Sequence, residues 1–364
     1  MSQIDQFKND IDDYEQTVHA IIGFINFYRW DDATKNMRND TYVFQGMRLR
    51  PSAEHGAAAE LNGARSVTPD IAIFRHAQSC VVAEVKKSFP ADSRHWHDDF
   101  NQLMAYDDNL EGWPTANKRV SSHDIVLLTH QSRAVAVKRF QEEHSRTIKF
   151  QRPFVIVEFN RSDERQPYFF FRKVRGTLTE KAVDDRLENG VQIPMSVFAR
   201  VYSTVKFYDT APPIPYMQSL IWTHVVLPAA FEQNAGKAGS LRKNRKLDVI
   251  LTVDEIADQL CEAFSYRRLN DQHHELQPQI PKKEWVIDAC QVLVRLKEAE
   301  WVDSKQSSIT IFFRHYDDIL AHFIESCASQ PEENKEQLPL FGSTATPSAA
   351  DGASLNPPRH PSDT

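Results

Sequence analysis

Two short runs of sequence decide the fold: residues 67–74, Val-Thr-Pro-Asp-Ile-Ala-Ile-Phe, and residues 80–89, which begin Cys-Val-Val-Ala-Glu-Val-Lys-Lys. Both runs are rich in β-branched residues, which favour strands. The polar break at residues 75–79 between them is short enough for a hairpin turn. The pattern therefore predicts two antiparallel strands that pair with each other.

The register of this hairpin brings acidic and basic side chains together. If the loop is centred on Ala77, Asp70 lies opposite Glu84, with the two Cβ atoms about 5 Å apart. Side chains alternate between the faces of a strand, so Glu84 and Lys86 point the same way. The sequence thus predicts two carboxylates and a lysine on one patch of a sheet.

The surrounding sequence alternates between helical and strand patterns. Residues near the N-terminus form one apolar helical stripe, which consists of Ile4, Phe7, Ile11, Tyr14, Val18, Ile21, Ile25 and Tyr28. Further helices are predicted at residues 98–110 and 132–146, and further strands at 123–130, 154–159 and 168–174. This order predicts an α/β domain over residues 1–175, with a mixed sheet flanked by helices.

Residues 176–245 are predicted to form a helical connecting region, with apolar helical stretches at 194–207 and 216–231. A basic segment ends this region, and its cations are Lys237, Arg242, Lys243, Arg245 and Lys246. Such a run without acidic residues is typical of a surface that binds DNA phosphates, or of a solvated linker.

Residues 246–330 are predicted to form a compact module. Thr252 followed by Glu255 has the spacing of a capping box at the start of a helix over 253–264. A second helix over 282–299 and two short strands around a polar turn at 303–308 follow. This arrangement resembles a winged helix. Some winged helices bind DNA, and others bind a protein partner.

Two facing carboxylates raise each other's pKa unless a cation lies between them. Carboxylate oxygens suit a hard divalent cation, Mg²⁺ or Mn²⁺, and Mg²⁺ often takes only one or two protein carboxylates. A lysine beside such a cation can act on a water molecule or stabilise charge on a phosphate. The three groups Asp70, Glu84 and Lys86 therefore fit metal-assisted hydrolysis of a phosphodiester. The alternative is a half-buried hairpin that only carries an exposed acid–base pair.

The pair Pro69-Asp70 followed by Glu84-Val85-Lys86 resembles the motif of the PD-(D/E)XK nuclease superfamily, whose fold is restriction-endonuclease-like. The resemblance implies that the aspartate and glutamate bind Mg²⁺ and that the lysine assists the attacking water. Gln102 and Tyr106 are similar to the QxxxY element of the RecB-like branch, which implies a role in positioning DNA or active-site groups. An ordinary amphipathic helix is the alternative for this last pair.

Many relatives in this superfamily place an acidic residue from the first helix at the metal site. Glu15 lies on the packed side of that helix in this chain, where an unpaired carboxylate is costly. The resemblance therefore implies that Glu15 completes the metal site. Glu60 is a rival for this role because it lies closer to the motif in sequence. The other alternative is that Glu15 only occupies the surface edge of the helix.

Residues 331–364 have the composition of a disordered tail. This tail contains an isolated apolar string, Gln337-Leu338-Pro339-Leu340-Phe341. The string resembles the bacterial sliding-clamp-binding pentapeptide, in which the leucine and phenylalanine fill an apolar pocket and the glutamine makes polar contacts. The alternative is an apolar patch that folds back onto the preceding module.

Composition excludes several classes of protein. The formal charge of −7 argues against non-specific coating of nucleic acid. The sequence contains no run of about 18 apolar residues, so no membrane-spanning helix is expected. The N-terminus lacks a signal-peptide pattern, and the four scattered cysteines form no disulfide framework, so a cytoplasmic location is expected. No GxxxxGK[ST] string occurs, so an ATP-driven step requires an ATPase partner. Assembly into a homo-oligomer stays open.

These features predict a Mg²⁺-dependent DNA nuclease that acts in DNA repair or anti-phage defence and reaches its substrate through the sliding clamp. Two alternatives stay open. One is an RNA nuclease with the same metal chemistry. The other is a DNA-binding regulatory protein whose nuclease-like domain is not catalytic.

Overall fold

A computed structural model describes residues 2–30, 42–51, 66–76, 79–87, 89, 96–113, 120, 122–162, 168–195, 205–233, 247–265 and 278–330. The protein is an α/β structure built on a mixed sheet that is flanked by helices, which confirms the predicted class. Within these residues, no helix combines the length and the apolar character that crossing a membrane requires.

The strands of the first part of the chain are β1 (Tyr42–Gln45), β2 (Arg50–Pro51), β3 (Ile71–His76), β4 (Ser79–Lys86), β5 (Leu110–Glu111), β6 (His123–His130), β7 (Phe154–Ser162), β8 (Tyr168–Arg175) and β9 (Val191–Pro194). In the described part of the chain, seven of them form one sheet in the order β1-β3-β4-β6-β7-β8-β9. The pairs β4–β6 and β6–β7 are parallel, and the other pairs are antiparallel. The short strands β2 and β5 pair with each other outside this sheet.

Helices cover both faces of the sheet. The first helix, α1 (Gln3–Trp30), buries its predicted apolar stripe against one face, which we call the α1 face. The helices α2 (Trp96–Met104) and α3 (Gln131–Glu143) cover the opposite face, which we call the α2 face. Successive side chains of β4 point to opposite faces of the sheet. Val81 and Val85 therefore pack on the α1 face, and Val82 packs on the α2 face.

The predicted hairpin is confirmed, and so are the predicted strands and helix between residues 123 and 174. The first strand of the hairpin begins at Ile71 rather than at residue 67, since Pro69 has no N–H group to donate to a strand ladder. The sheet also extends past residue 175, where the sequence places the end of the domain. After α4 (Lys181–Glu188), β9 pairs with β8 and adds an edge strand.

The predicted helical stretch at 216–231 is confirmed. The helix α5 (Ile214–Ile221) continues through a π-helical turn, Trp222–Val226, into α6 (Leu227–Gln233). The stretch at 194–207 lies mostly outside the described residues. The described part of it, residues 194–195 and 205–207, contains the end of β9 and no α-helix.

The C-terminal module joins three strands and three helices within the described residues. The strands are β10 (Leu247–Thr252), β11 (Ala299–Trp301) and β12 (Ser308–Phe313), and the helices are α7 (Val253–Phe264), α8 (Lys283–Arg295) and α9 (Ile319–Ala328). The capping box is confirmed: the Thr252 hydroxyl accepts from the Glu255 N–H, and the Glu255 carboxylate accepts from the Thr252 N–H at 2.7 Å. The strand order is β10-β12-β11.

Candidate active site

The hairpin has the register that the sequence predicts. Ile71 pairs with Ala83, and Ile73 pairs with Val81, so Asp70 precedes the first pair at the position opposite Glu84. Both acidic side chains lie on the α2 face, because Ala72 and Val82, two residues away from them, pack there. Asp70 is 6% exposed and Glu84 is 5% exposed. Two buried carboxylates therefore face each other at the end of the β3–β4 pair, next to the pair formed by Ile71 and Ala83.

Asp70 is fixed by one hydrogen bond and leaves one oxygen for a ligand. The backbone N–H of Val85 donates to Oδ2 of Asp70 at 2.8 Å. Its Oδ1 atom has no hydrogen bond to any residue that the structure describes. The Asp70 carbonyl accepts from the N–H of Gly46, which anchors the residue to the end of β1. Because the carboxylate is held rigidly, its free Oδ1 atom is well suited to coordinate a cation.

Glu84 is the centre of a hydrogen-bond network on the α2 face. The Tyr106 hydroxyl donates to Oε2 of Glu84 at 2.7 Å, and Nε2 of Gln102 donates to Oε1 at 2.8 Å. The Gln102 amide also donates to the Tyr106 hydroxyl at 3.3 Å. The helix α2 ends at Met104, before the predicted boundary, so Tyr106 reaches Glu84 from the turn that follows the helix. These contacts bring Gln102 and Tyr106 to Glu84, and their roles in activity stay predictions.

Lys86 lies on the same face and remains partly open to solvent. Its Nζ atom donates to Oε1 of Gln102 at 2.9 Å and lies 3.2 Å from Oε1 of Glu84. The carboxylate of Asp99 on α2 is 3.6 Å away. The side chain is 25% exposed, so a ligand can approach the ammonium group while the carboxylates hold it in place.

The charges of the site act strongly on one another. Burial, together with the nearby charge of Glu84, raises the pKa of Asp70 well above its ordinary value, although the Val85 N–H and Lys86 oppose this shift. Burial alone lowers the pKa of Lys86, but the carboxylates of Glu84, Asp99 and Asp70 outweigh it, and the pKa is raised. Lys86 is therefore a cation at neutral pH, and the two facing carboxylates lack a full countercharge.

Sequence reasoning missed two residues that approach the site from the segment at 205–210, which forms neither a helix nor a strand. The charge of Asp209 raises the pKa of Asp70, and the charge of Asp70 contributes, after burial, to the raised pKa of Tyr208. The segment is tied to β1, because the Gln45 amide donates to the Phe207 carbonyl at 3.0 Å. Nothing in the local sequence signals this approach, since more than a hundred residues separate Asp209 from Asp70.

Asp209 also connects the site to the C-terminal module. Nζ of Lys282 lies 3.0 Å from Oδ1 of Asp209, and Lys282 occupies the position before the first residue of α8. The same ammonium group lies 5.2 Å from the ring centroid of Trp285. The start of α8 therefore lies close to the candidate site.

Glu15 lies among tyrosines. Burial, followed by the charge of the Glu15 carboxylate and its interaction with the hydroxyl, raises the pKa of Tyr216. The ring of Tyr14 lies 5.7 Å from that of Tyr216 and 5.0 Å from that of Tyr208, centroid to centroid. This aromatic cluster links Glu15 to the surroundings of Asp70, and the role of Glu15 as a metal ligand stays a prediction.

Several predicted residues lie outside the described part of the chain. They are Glu60, the basic residues Lys237, Arg242, Lys243, Arg245 and Lys246, and the tail residues Gln337, Leu338, Leu340 and Phe341.

Within the described residues, no three His, Cys, Asp or Glu side chains converge in a way that holds a metal ion. The pair Asp70 and Glu84 nevertheless matches the one or two carboxylates that Mg²⁺ commonly takes, with water as its other ligands. Comparisons of this chain with protein-family models, with curated proteins and with solved structures find no match.

Proposed function

We propose that this protein is a Mg²⁺- or Mn²⁺-dependent DNA nuclease with a restriction-endonuclease-like domain. The observation that carries the proposal is the convergence of Asp70, Glu84 and Lys86 on one sheet face. Two buried carboxylates that face each other are costly unless a cation compensates them. The mixed sheet, with an antiparallel hairpin followed by parallel strands, supports the proposed fold.

The residues present fit a divalent cation. Asp70 and Glu84 offer hard oxygen donors, and Oδ1 of Asp70 is free of hydrogen bonds to the described residues. When bound, Mg²⁺ lowers the pKa of a water molecule and stabilises charge on a phosphate. Lys86 holds a water or a phosphate oxygen through its partly exposed ammonium group. The Tyr106 hydroxyl and the Gln102 amide fix the orientation of the Glu84 carboxylate.

The substrate is tested by incubating the purified protein with linear, circular and single-stranded DNA and with RNA, in Mg²⁺ and in EDTA. We expect cleavage of DNA that stops when EDTA removes the metal. Cleavage of RNA without cleavage of DNA supports the RNA nuclease instead. Binding of DNA without cleavage of any substrate supports the non-catalytic regulatory protein.

We propose that the C-terminal module is a winged helix that helps to bind DNA. Its strand order β10-β12-β11 and the helices between β10 and β11 support this fold. The contact of Lys282 with Asp209 places the start of α8 beside the candidate site, where DNA bound by the module can reach the carboxylates. The basic residues at 237–246 are proposed to add phosphate contacts.

We also propose that the tail docks on the bacterial sliding clamp, in a role in DNA repair or anti-phage defence. A short peptide should bind weakly, with a Kd of about micromolar order. A labelled peptide of residues 332–343 is therefore titrated with purified clamp, next to a peptide in which Leu340→Ala and Phe341→Ala remove both apolar anchors. We expect binding of the first peptide alone. No binding of either peptide at about 100 times that concentration contradicts the proposal.

A further inference from the structure

One row of polar residues continues from Lys86 across the sheet. Lys86 on β4 pairs with Thr129 on β6, Thr129 pairs with Glu158 on β7, and Glu158 pairs with Arg172 on β8. Residues in one register row point to the same side of a sheet, and here that side is the α2 face, which also carries Glu84. Thr129 and Glu158 are buried, and buried sheet positions are normally apolar, so these two polar residues call for an explanation.

The outer end of this row presents a fixed guanidinium group. Glu158 is 3% exposed, and its Oε1 atom accepts from Nε of Arg172 at 2.7 Å and lies 2.6 Å from Nη2. The Arg172 side chain is nevertheless 52% exposed. The buried carboxylate therefore fixes one edge of the guanidinium, while the group as a whole stays accessible to solvent. An arginine fork held in this way is suited to a phosphate oxygen.

The middle of the row is polar although it is fully enclosed. Thr129 is 0% exposed, and its hydroxyl has no hydrogen-bond partner in the described ranges. Valine has nearly the same shape and avoids the cost of an unsatisfied hydroxyl. The helix α3, whose N–H groups favour anions near its start, begins two residues later. The polar character of the row is thus unbroken from Lys86 to Arg172.

We propose that Arg172 binds a phosphate of the nucleic-acid strand whose scissile phosphate lies at Lys86. This inference rests on the proposed function, since it assigns a substrate contact of the same site. Three strand spacings separate the two residues, a distance of about 14 Å. Phosphates recur about every 3.4 Å of helix axis along one strand of B-form DNA, so a strand bound at Lys86 has further phosphates within reach of Arg172.

The proposal is tested on the full chain by binding of a labelled DNA of about 20 base pairs in EDTA, over a series of salt concentrations. The logarithm of the binding constant K falls as the logarithm of the salt concentration rises, and one lost phosphate contact makes this negative slope less steep by about 1. We expect this change for Arg172→Ala, with a roughly tenfold weaker Kd at low salt. The matched control is Arg175→Ala, because Arg175 is the last residue of β8 and pairs with the surface residue Glu142 instead of with a buried carboxylate.

Arg172→Ala leaves the buried Glu158 carboxylate without its cation, so this variant can lose stability. The double variant Glu158→Gln/Arg172→Gln removes both charges and keeps the test decisive. An unchanged salt slope and Kd in the double variant overturn the phosphate contact, and cleavage by the wild type shows that the nuclease proposal survives. A wild-type protein that neither binds nor cleaves DNA overturns both proposals.

Discussion

Replacing Lys86 with alanine is expected to reduce the rate of DNA cleavage by at least about 100-fold, because a positioned proton-transfer or charge-stabilising group contributes about 10²–10⁴ in rate. The loss should appear in the chemical step, which is measured under single-turnover conditions. Its removal also takes the nearest cation from the buried Glu84 carboxylate, so thermal unfolding of the variant is measured alongside to show that it is folded.

The adjacent residue Lys87 provides a matched control. It points to the α1 face, where its ammonium group pairs with Asp13 and lies 3.8 Å from Asp12. Lys87→Ala removes the same type of side chain one position along the same segment, and we expect cleavage close to the wild-type rate. Equal losses in the two variants, or full activity in Lys86→Ala, contradict the assignment of Lys86.

The second large effect is expected in thermal stability. If Asp70 and Glu84 bind Mg²⁺, a saturating concentration should stabilise the folded chain by about 1–3 kcal/mol and raise the Tm by a few degrees. Asp70→Asn should remove this response. The variant should also be more stable than the wild type without metal, by about 0.5–2 kcal/mol. Asparagine keeps an acceptor for the Val85 N–H and removes one of the two facing charges.

The pH dependence of this difference has a definite sign. Burial and the Glu84 charge raise the pKa of Asp70 in the folded chain above its ordinary value of 3.8. As the pH rises from that value to the folded-state pKa, the unfolded chain loses the proton first, so the wild type loses stability. The advantage of Asp70→Asn should therefore grow over this interval and then stay constant. A variant that is less stable than the wild type at neutral pH without metal contradicts this electrostatic account.

The amino-acid sequence alone was sufficient to predict the hairpin, because the signals that define it are local. The turn between the two strands is short, and the alternation of apolar residues in β4 fixes which face each side chain occupies. The side chains of Asp70, Glu84 and Lys86 could therefore be assigned to one face from their spacing. The stripe on α1 was predictable for the same reason, since its period matches the helical repeat.

Other elements could not be predicted, because long-range contacts define them. The strand β1 has four residues and is recognised by its pairing with β3 rather than by its composition. In β10, Leu247, Val249 and Leu251 are buried in alternation, but the run is short and follows a basic segment. Asp209 reaches the site only because the segment after β9 returns to the end of β1, and no local pattern encodes that path.

The central claim is that Asp70 and Glu84 hold the cation on which phosphodiester hydrolysis depends. The most direct measurement is the rate of cleavage of a linear DNA as a function of Mg²⁺ concentration, for the wild type and for Asp70→Asn. The account predicts a rate that saturates with Mg²⁺ in the wild type and stays at background in the variant at every concentration. The same dependence on Mg²⁺ in both proteins, or wild-type cleavage that continues in EDTA, would contradict it.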